Sequence, residues 1–331
     1  MTYMDMTIKA DLLSIGSVDV DASLLPRPSF STAGPGMGIQ SIFFTSGGHR
    51  VRLEVNRDSP LKMKLKNGHV AIERDHREIV EGEIEEVVAH CPDQVYITIS
   101  ERCIYNCTFC SVPKSQGKIK TVEEILDIVE KARKNGKLKV IALTSGISKS
   151  PDNEIDRVVD VVKALKKYQV PIGVAVHPGK NSSQRLKDAG VTEVKYSVET
   201  MDREIFDRVC KGRKGHTLDF ILESLRDAVR IFGRNRVSSN IIIGLGETDE
   251  NVRQGVEYLA QMGVIPILRP ITISPLRKDD LTMATRPSPE RLLNLTKMTR
   301  EILEKYGLRV DVAQTMCLPC TGCDLTPGYD V

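Results

Sequence analysis

The pattern of apolar and polar positions along this chain changes near residue 93. Before that point, apolar residues alternate with polar ones in short segments, as is typical of antiparallel strands joined by tight turns. The segments, with the turn between the last two, are Ser41–Asn56, Leu61–Lys66, Asn67-Gly68 and His69–Arg74. Residues 1–92 are therefore predicted to form a small β-rich N-terminal cap.

Beyond residue 93, short apolar runs alternate with amphipathic segments, at spacings that favour strand–helix units with parallel strands. The strand candidates are Val95–Ser100, Lys139–Thr144, Pro171–Val176, Glu193–Val198, Val237–Gly244 and Pro266–Ile273. Six such units predict an α/β fold with an open or partial (β/α)6 barrel over residues 93–313. Residues 314–331 then form a short C-terminal tail.

Two of the intervening helices have clear boundary signals. Thr121 and Glu124 have the spacing of a capping box, and Gly136 is expected to end the helix that they begin. The pair Ser288-Pro289 predicts the start of a later helix, which is expected to end at Gly307.

Composition narrows the classes of protein that fit. Hydrophobic residues make up 40% of the chain and charged residues 27%, with a net charge of only +3, so no polyanionic partner is indicated. The absence of tryptophan argues against a nucleic-acid stacking surface, and no apolar run is long enough to span a membrane. The N-terminus lacks the pattern of a signal peptide. We therefore expect a cytoplasmic protein whose cysteines stay reduced and are free to bind metal.

Six of the eight cysteines fall into two tight triplets. The first triplet, Cys103, Cys107 and Cys110, has the spacing C-x3-C-x2-C and follows the first predicted strand of the barrel, at the end where barrel enzymes carry their chemistry. Three thiolates can hold three irons of a [4Fe–4S] cluster and leave the fourth iron open. Zinc is the alternative metal, although structural zinc sites usually have four ligands.

This loop, with Phe109 directly before its last cysteine, resembles the signature of the radical S-adenosylmethionine (radical SAM) superfamily. The resemblance implies that SAM chelates the open iron of the [4Fe–4S] cluster. One electron, from a donor such as a ferredoxin or flavodoxin, then cleaves SAM to methionine and a 5′-deoxyadenosyl radical. That radical abstracts hydrogen from an unreactive C–H bond, while the protein orients the reactants and excludes competing reactions.

The resemblance also implies SAM contacts at loops that follow later strands. These positions are Thr144, Ser145, Gly146, Ser197, Glu199, Arg213, Ile243, Gly244 and Gly246. For Glu199 the alternative is a helix-capping neighbour without a ligand, and for Arg213 it is a solvated basic loop. His177 ends the third strand and is a candidate for substrate contact, with a structural histidine as the alternative. Cys91 and Cys210 are expected to be packing residues.

The second triplet, Cys317, Cys320 and Cys323, lies in the tail, where proline and glycine between the cysteines favour a loop around a metal. We expect a second, auxiliary [4Fe–4S] cluster here. A zinc site with a distant fourth ligand and a disordered tail with incidental cysteines are the alternatives. A second cluster can relay electrons, bind substrate or donate sulfur.

The compact barrel with a second triplet resembles the biotin synthase and lipoyl synthase branch, in which an auxiliary cluster supplies sulfide to a carbon radical. The tail triplet and the segment Ser31–Gly36 are most similar to the biotin-synthase-like proteins that form the lipoyl cofactor as an archaeal-type two-protein system. The resemblance implies sulfur insertion into the C–H bond of an octanoyl chain on a carrier protein or peptide, with a partner radical SAM subunit. A mostly aliphatic cavity lining with few charges is expected for such a chain.

Two other functions fit the same residues. One is a radical SAM dehydrogenase or ring-forming enzyme whose tail cluster accepts an electron from the product radical. The other is a regulatory protein without catalysis that binds zinc and iron. Sulfide consumption distinguishes a sulfur-inserting enzyme from the dehydrogenase or ring-forming enzyme. Metal analysis with a SAM-cleavage test identifies the regulatory protein.

Overall fold

The structure is a computed structural model that describes residues 2–25, 31–66, 68–88, 90–115, 117–213 and 215–331. Of the predicted Asn67-Gly68 turn, Asn67 lies outside the described residues. Within these ranges, every helix is too short or too polar to cross a membrane.

In its described residues, the N-terminal part contains one α-helix, six strands and a short 3-10 helix at Ala22–Leu24. Their bounds are α1 Met6–Ile15, β1 Ser17–Val20, β2 Ser41–Ser46, β3 His49–Val55, β4 Leu61–Lys66, β5 His69–Arg74 and β6 Arg77–Glu85. Both predicted hairpins are confirmed, because β2 pairs antiparallel with β3 and β4 with β5. Turn residues and alternation were sufficient signals there because a hairpin is a local structure.

These strands close into a barrel in the order β1-β3-β2-β6-β5-β4. Closure depends on β1, which pairs in parallel with β3 through Ser17 and with β4 through Val20. The barrel core is made of apolar side chains that are fully buried, such as Leu53, Met63 and Ile72. Closing the barrel removes the unpaired edges that an open sheet of this size would present.

The remaining strands form a second sheet of six parallel strands. Their bounds are β7 Val95–Thr98, β8 Ile141–Thr144, β9 Ile172–Ala175, β10 Glu193–Lys195, β11 Val237–Ile243 and β12 Ile265–Pro270. The order in the sheet, β12-β11-β10-β9-β8-β7, follows the chain and leaves β7 and β12 as separate edges. The predicted partial (β/α)6 barrel is confirmed.

Helices cover the outer face of this sheet. They are α2 Val122–Lys134, α3 Pro151–Leu165, α4 Ser182–Ala189, α5 Arg203–Val209, α6 Leu218–Phe232, α7 Asp249–Met262 and α8 Pro289–Lys305, and the tail adds the single turn α9 Cys317–Cys320. The capping box of Thr121 with Glu124 is confirmed, and so is the start of α8 at Ser288-Pro289.

The gap between β7 and β12 is next to the N-terminal part of the chain. Thr32 donates a hydrogen bond to the Thr98 hydroxyl at the end of β7 (2.8 Å), and Ser111 donates to the Pro35 carbonyl (2.8 Å). The segment from Ser31 to Gly36 therefore lies against both the first parallel strand and the cysteine loop that follows it.

Candidate functional site

One cavity of about 350 Å³ contains both cysteine triplets in its lining. This volume lies in the range of small-molecule sites, which are usually concave and few in number. The cavity extends along the interior of the parallel sheet to the gap beside the N-terminal barrel, where Ser31 and Glu54 also line it. The two triplets are thus parts of a single site.

The first triplet lies in the loop after β7, as predicted. Backbone hydrogen bonds tie this loop to its neighbours: Asn106 N–H donates to Lys211 O (2.9 Å), and Thr108 N–H to Val209 O (2.8 Å). On the other side, Gly146 approaches so closely that a Cβ there would lie 2.3 Å from the Arg102 carbonyl oxygen. Only glycine allows the β8 loop to pack this tightly against the cysteine loop.

Arg277 holds the same loop from the far end of the sheet. Its guanidinium is completely buried and donates to the Cys110 carbonyl (2.7 Å), to Asn106 Oδ1 (2.8 Å) and to Asp280 (2.7 Å). Arg277 was not predicted, since nothing in the sequence near it marks this arginine as the partner of a loop more than 160 positions earlier.

Cys107 is the cysteine of the first triplet with the strongest electrostatic support. Cys210, by a hydrogen bond from its thiol, and the guanidinium of Arg213 lower the pKa of the Cys107 thiol to about 6. Arg213 Nε donates to Cys107 Sγ at 3.2 Å. In contrast, burial raises the pKa of Cys110 to about 12. The thiolate, which is the metal-binding form of cysteine, is therefore most favoured at Cys107.

Glu199 completes this charged group. Its carboxylate lies 3.4 Å from Arg213 Nη2, and burial raises its pKa. The residue has a φ of +66°, an unfavourable conformation for a non-glycine residue. Flanking hydrogen bonds hold it there, from Glu199 N–H to Asn240 O (2.9 Å) and from Ile242 N–H to Glu199 O (2.7 Å).

The other residues predicted to contact SAM or substrate divide into two groups. Those that line the cavity are Phe109, Thr144, Ser145, Ser197, Glu199, Arg213 and His177. Four predicted residues are not among the described residues that line the cavity: Gly146, Ile243, Gly244 and Gly246. Ile242, next to Ile243, does line it. Their SAM contacts stay predictions.

Two of the lining residues already have protein partners. Ser145 Oγ donates to the buried carboxylate of Glu154 (2.6 Å) and accepts from Ser100 N–H (3.0 Å). His177 Nε2 lies 3.0 Å from His216 Nδ1, and burial keeps the pKa of His177 well below its usual value. His177 is therefore a neutral ring, hydrogen-bonded to a second histidine at the edge of the site.

The second triplet is held at the amino ends of the parallel strands, whereas the first lies at their carboxyl ends. Gln94, just before β7, binds the backbone of Met316 twice: its amide donates to Met316 O (2.7 Å), and its carbonyl oxygen accepts from Met316 N–H (2.7 Å). Glu193, the first residue of β10, accepts from the N–H groups of Gln314 and Thr315 (both 2.9 Å). The tail therefore reaches the barrel interior from the amino ends of the strands.

The N-terminal barrel holds the tail from its other side. Arg52 N–H donates to Gly322 O (2.6 Å), Arg50 donates to the Cys320 carbonyl (3.1 Å), and Lys9 to the Thr321 carbonyl (2.7 Å). A Cβ at Gly322 would lie 2.6 Å from the ring of Phe43. The second triplet is thus fixed between two parts of the chain that are distant in sequence.

Cations surround the tail thiols. Lys195 Nζ donates to Cys317 Sγ at 3.0 Å, and the partly buried Arg269 lies near Cys317 while it pairs with Asp324 at 3.3 Å. A hydrogen bond from Cys91 lowers the pKa of Cys320 to about 7. Cys91, predicted to be a packing residue, is buried as expected but lies directly beside this triplet.

The expectation of a mostly aliphatic lining with few charges is wrong. Seven charged side chains line the cavity: Arg52, Glu54, Lys195, Glu199, Arg213, Arg269 and Arg286. Most of them are already engaged: Arg286, for example, donates to the carbonyls of Ser14 and Ile271. Lys195, for example, lies in the predicted strand Glu193–Val198, and the sheet directs its side chain into the interior.

The residues present fit the cofactors that the resemblance implies. Each triplet offers soft thiol ligands, and each contains one cysteine whose pKa is near or below neutral. Three cavity-lining residues carry buried polar atoms without a hydrogen-bond partner in the described part of the chain: Arg213 Nη1, Asn240 Oδ1 and Arg269 Nε. The first two suit the carboxylate and amine of an amino-acid ligand such as SAM. As the side chains lie, no three or more His, Cys, Asp or Glu of the described residues converge on a single metal ion.

Comparisons with known proteins agree with this geometry. A model described as "Radical SAM superfamily" matches residues 97–259. A biotin synthase from Hydrogenobaculum sp. is 28% identical over 193 residues, which is 54% of this chain and 56% of the relative. A probable GTP 3',8-cyclase from Methanococcus aeolicus is 25% identical over 51% of this chain and 56% of its own length. The chain spans about half the length of the curated relatives it matches.

Among solved structures, a radical SAM methyltransferase from Sphaerobacter thermophilus aligns over 81% of each chain with a TM-score of 0.54. At 17% identity this likeness concerns the fold alone. The matched family region contains the whole first triplet and the first five parallel strands from within β7 onward. On the family match, residues 97–259 of this chain form a radical SAM superfamily domain.

Proposed function

We propose that this protein is a radical SAM enzyme with two [4Fe–4S] clusters that inserts sulfur into an unactivated C–H bond, with a protein-bound octanoyl chain as substrate. The observation that carries the proposal is the shared cavity: both triplets line it, and they enter it from opposite ends of the parallel strands. A substrate carbon held between them would be close to both.

The residues that would hold the first cluster are Cys103, Cys107 and Cys110. When bound, this cluster and SAM would supply the radical that removes a hydrogen atom, and the second cluster would supply sulfur. Arg213 stabilises the Cys107 thiolate and leaves Nη1 available for a ligand carboxylate. Arg277 and the close contact of Gly146 fix the cysteine loop, which keeps the reacting groups in one geometry.

The tail residues Cys317, Cys320 and Cys323 would hold the second cluster. Lys195 and Arg269 provide positive charge beside them, which offsets the cost of burying thiolates. The resemblance to the biotin synthase branch favours sulfur donation as the role of this cluster. An electron donor such as a ferredoxin or flavodoxin and a partner radical SAM subunit are part of the proposal.

An octanoyl-lysine side chain suits the shape of this site. It is long and thin, so it could reach between the triplets while its carrier protein stays outside. Apolar residues line part of the route, among them Ile39, Ile147, Ile242 and Ile271. The segment Ser31–Gly36 lines the cavity beside the gap between β7 and β12, and it is the proposed entrance.

The test uses an octanoyl-lysyl peptide with the reconstituted protein, SAM and a reductant. We expect a mass gain of one or two sulfur atoms at C6 or C8 of the acyl chain, with 5′-deoxyadenosine formed alongside. If a partner subunit modifies the other carbon, this protein alone stops at the monothiolated product. Unchanged octanoyl peptide, with active SAM cleavage and both clusters intact, would exclude this substrate.

A second candidate role for the tail cluster is electron transfer in a dehydrogenase or ring-forming reaction. The position of Cys91 beside the triplet favours it, because a cluster with four thiolate ligands has no open iron. Counting acid-labile sulfide before and after one turnover separates the roles. A sulfur donor loses sulfide with each product formed, whereas an electron relay keeps it.

A further inference from the structure

We propose that Cys91 is the fourth thiolate ligand of the second iron–sulfur cluster, so that this site is built from Cys91, Cys317, Cys320 and Cys323. The inference rests on the proposal that the tail holds a cluster. It is independent of the substrate, and among the two roles proposed for that cluster it favours electron transfer over sulfur donation. It assigns a role to a cysteine whose sequence context indicates only packing.

Position is the first argument. Cys91 is 2% exposed, and it lines the same cavity as the three tail cysteines. Its thiol donates a hydrogen bond to the Gln94 carbonyl (3.9 Å) and lies beside Cys320, in the same cavity as Cys317 and Cys323. A rotation about χ1 moves a cysteine sulfur without moving the backbone, so the Cys91 sulfur can turn from the Gln94 carbonyl toward the tail thiols.

The backbone around Cys91 is also bound to the tail. Cys91 forms a β-bridge with Gln94, and the side chain of Gln94 makes both hydrogen bonds to Met316, the residue before Cys317. Met316 is held at a φ of +62°, which a non-glycine residue adopts only when its surroundings impose it. Cys91 and Cys317 therefore belong to one hydrogen-bonded unit.

Charge is the third argument. A fourth thiolate adds negative charge to a buried site, which is tolerated only where cations compensate it. Lys195 donates to Cys317, and the partly buried Arg269 lies beside the tail thiols. Arg50 adds a third cation beside the Cys320 carbonyl, although it is also paired with Glu85 and Asp93.

Cys210 provides a matched comparison within the same protein. It is also buried, and its thiol contacts a triplet cysteine, Cys107. However, the described residues that line the cavity include Cys91 and not Cys210. Cys210 therefore lies outside the lining beside Cys107, whereas Cys91 lines the cavity together with the tail triplet that would hold the second cluster.

The experiment uses the full chain with Cys103, Cys107 and Cys110 replaced by alanine, so that only the second site binds iron. Cys91→Ala, Cys91→Ser and Cys210→Ala are added singly, and each protein is reconstituted anaerobically with ⁵⁷Fe and sulfide. Iron and sulfide are counted, and EPR and Mössbauer spectra are recorded. Circular dichroism melting checks that each variant is folded.

We expect Cys91→Ala to lose about one of the roughly four irons of the site and to give the EPR signal of a three-iron cluster after mild oxidation. Added 2-mercaptoethanol, together with ferrous iron and reductant, should restore the fourth iron. Cys91→Ser should keep the irons but change the Mössbauer signal of one of them, and Cys210→Ala should resemble the parent. If Cys91→Ala does not fold, the Cys91→Ser spectrum decides.

Parent-like iron and spectra in both Cys91 variants would overturn the inference, as would an equal loss of iron in Cys210→Ala. One zinc and no sulfide in the starting protein, which lacks only the first triplet, would overturn both this inference and the proposed second cluster. Parent-like spectra in the Cys91 variants would leave the second cluster in place, so the two failures are distinguishable.

Discussion

The two cysteine triplets face one cavity but are built in different ways. The first lies in a single loop after β7 and is held by segments of the same parallel-sheet domain, through Lys211, Arg277 and Gly146. The second is a tail segment held by Gln94 and by the N-terminal barrel, whose partners lie more than 200 positions away in the chain. A local motif can therefore identify the first site, while the second depends on how the whole chain packs.

The charged residues around the two triplets also differ. Cys107 has one buried arginine, Arg213, which is itself balanced by Glu199. The tail has two cations, the buried Lys195 and the partly buried Arg269, balanced only in part by Asp324. The larger excess of positive charge at the tail suits a site with more thiolates. Because the two triplets are held by different residues, we expect damage to one site to leave metal binding at the other unchanged.

The largest expected effect comes from the first triplet. Replacing Cys103, Cys107 and Cys110 with alanine should abolish SAM cleavage, because no other residues are proposed to hold the cluster that cleaves SAM. The measurement is 5′-deoxyadenosine formed in the presence of a strong reductant. Continued formation of 5′-deoxyadenosine by this variant would show that the first triplet has been assigned wrongly.

Replacing Cys317, Cys320 and Cys323 with alanine should separate the two half-reactions. SAM cleavage should stay within about threefold of the parent, whereas thiolated product should vanish, since the sulfur source is gone. Both are followed in one assay by mass spectrometry. Loss of SAM cleavage together with loss of folding would instead indicate a structural metal in the tail.

Arg277→Leu should damage the first site alone. It leaves two buried acceptors, the Cys110 carbonyl and Asn106 Oδ1, without their donor, at a cost of roughly 2–4 kcal/mol in the free energy of unfolding. A shifted cysteine loop should slow SAM cleavage on the order of 100-fold. Unfolding curves and single-turnover rates check this, with Arg277→Lys as the conservative control. An unchanged rate would mean that Arg277 does not position the loop.

Gln94→Leu is the corresponding test for the second site and should have the smallest effect on SAM cleavage. Two buried backbone groups of Met316 lose their partner, which costs about 1–3 kcal/mol in the free energy of unfolding. Iron at the tail should be released to a chelator faster than in the parent. Gln94→Glu, which can still accept from Met316 N–H, should be intermediate. Faster iron release from the first site instead would contradict the separation of the two sites.

The sequence predicted the local features of this molecule. The hairpin of Leu61–Lys66 with His69–Arg74 and the capping box of Thr121 with Glu124 are confirmed because their signals lie within a few residues of each other. The first triplet was recognisable for the same reason. The six parallel strands were also predicted in order, with ends that differ by up to three residues.

Features that depend on long-range packing were not predicted. Closure of the N-terminal barrel needs β1 to pair with two strands that follow much later in the chain. The charged lining was missed because whether Lys195 points inward depends on the register of its strand within the sheet. The position of Cys91 beside the tail could not be seen either, since a lone cysteine carries no spacing signal.

The most direct test of the central claim is an anaerobic count of iron and acid-labile sulfide in three proteins: the parent, the variant without the first triplet and the variant without the second. The account predicts about eight irons in the parent and about four in each variant, with matching sulfide, because each triplet holds its own four-iron cluster. About four irons in the parent, with zinc and no additional sulfide at the tail, would contradict it.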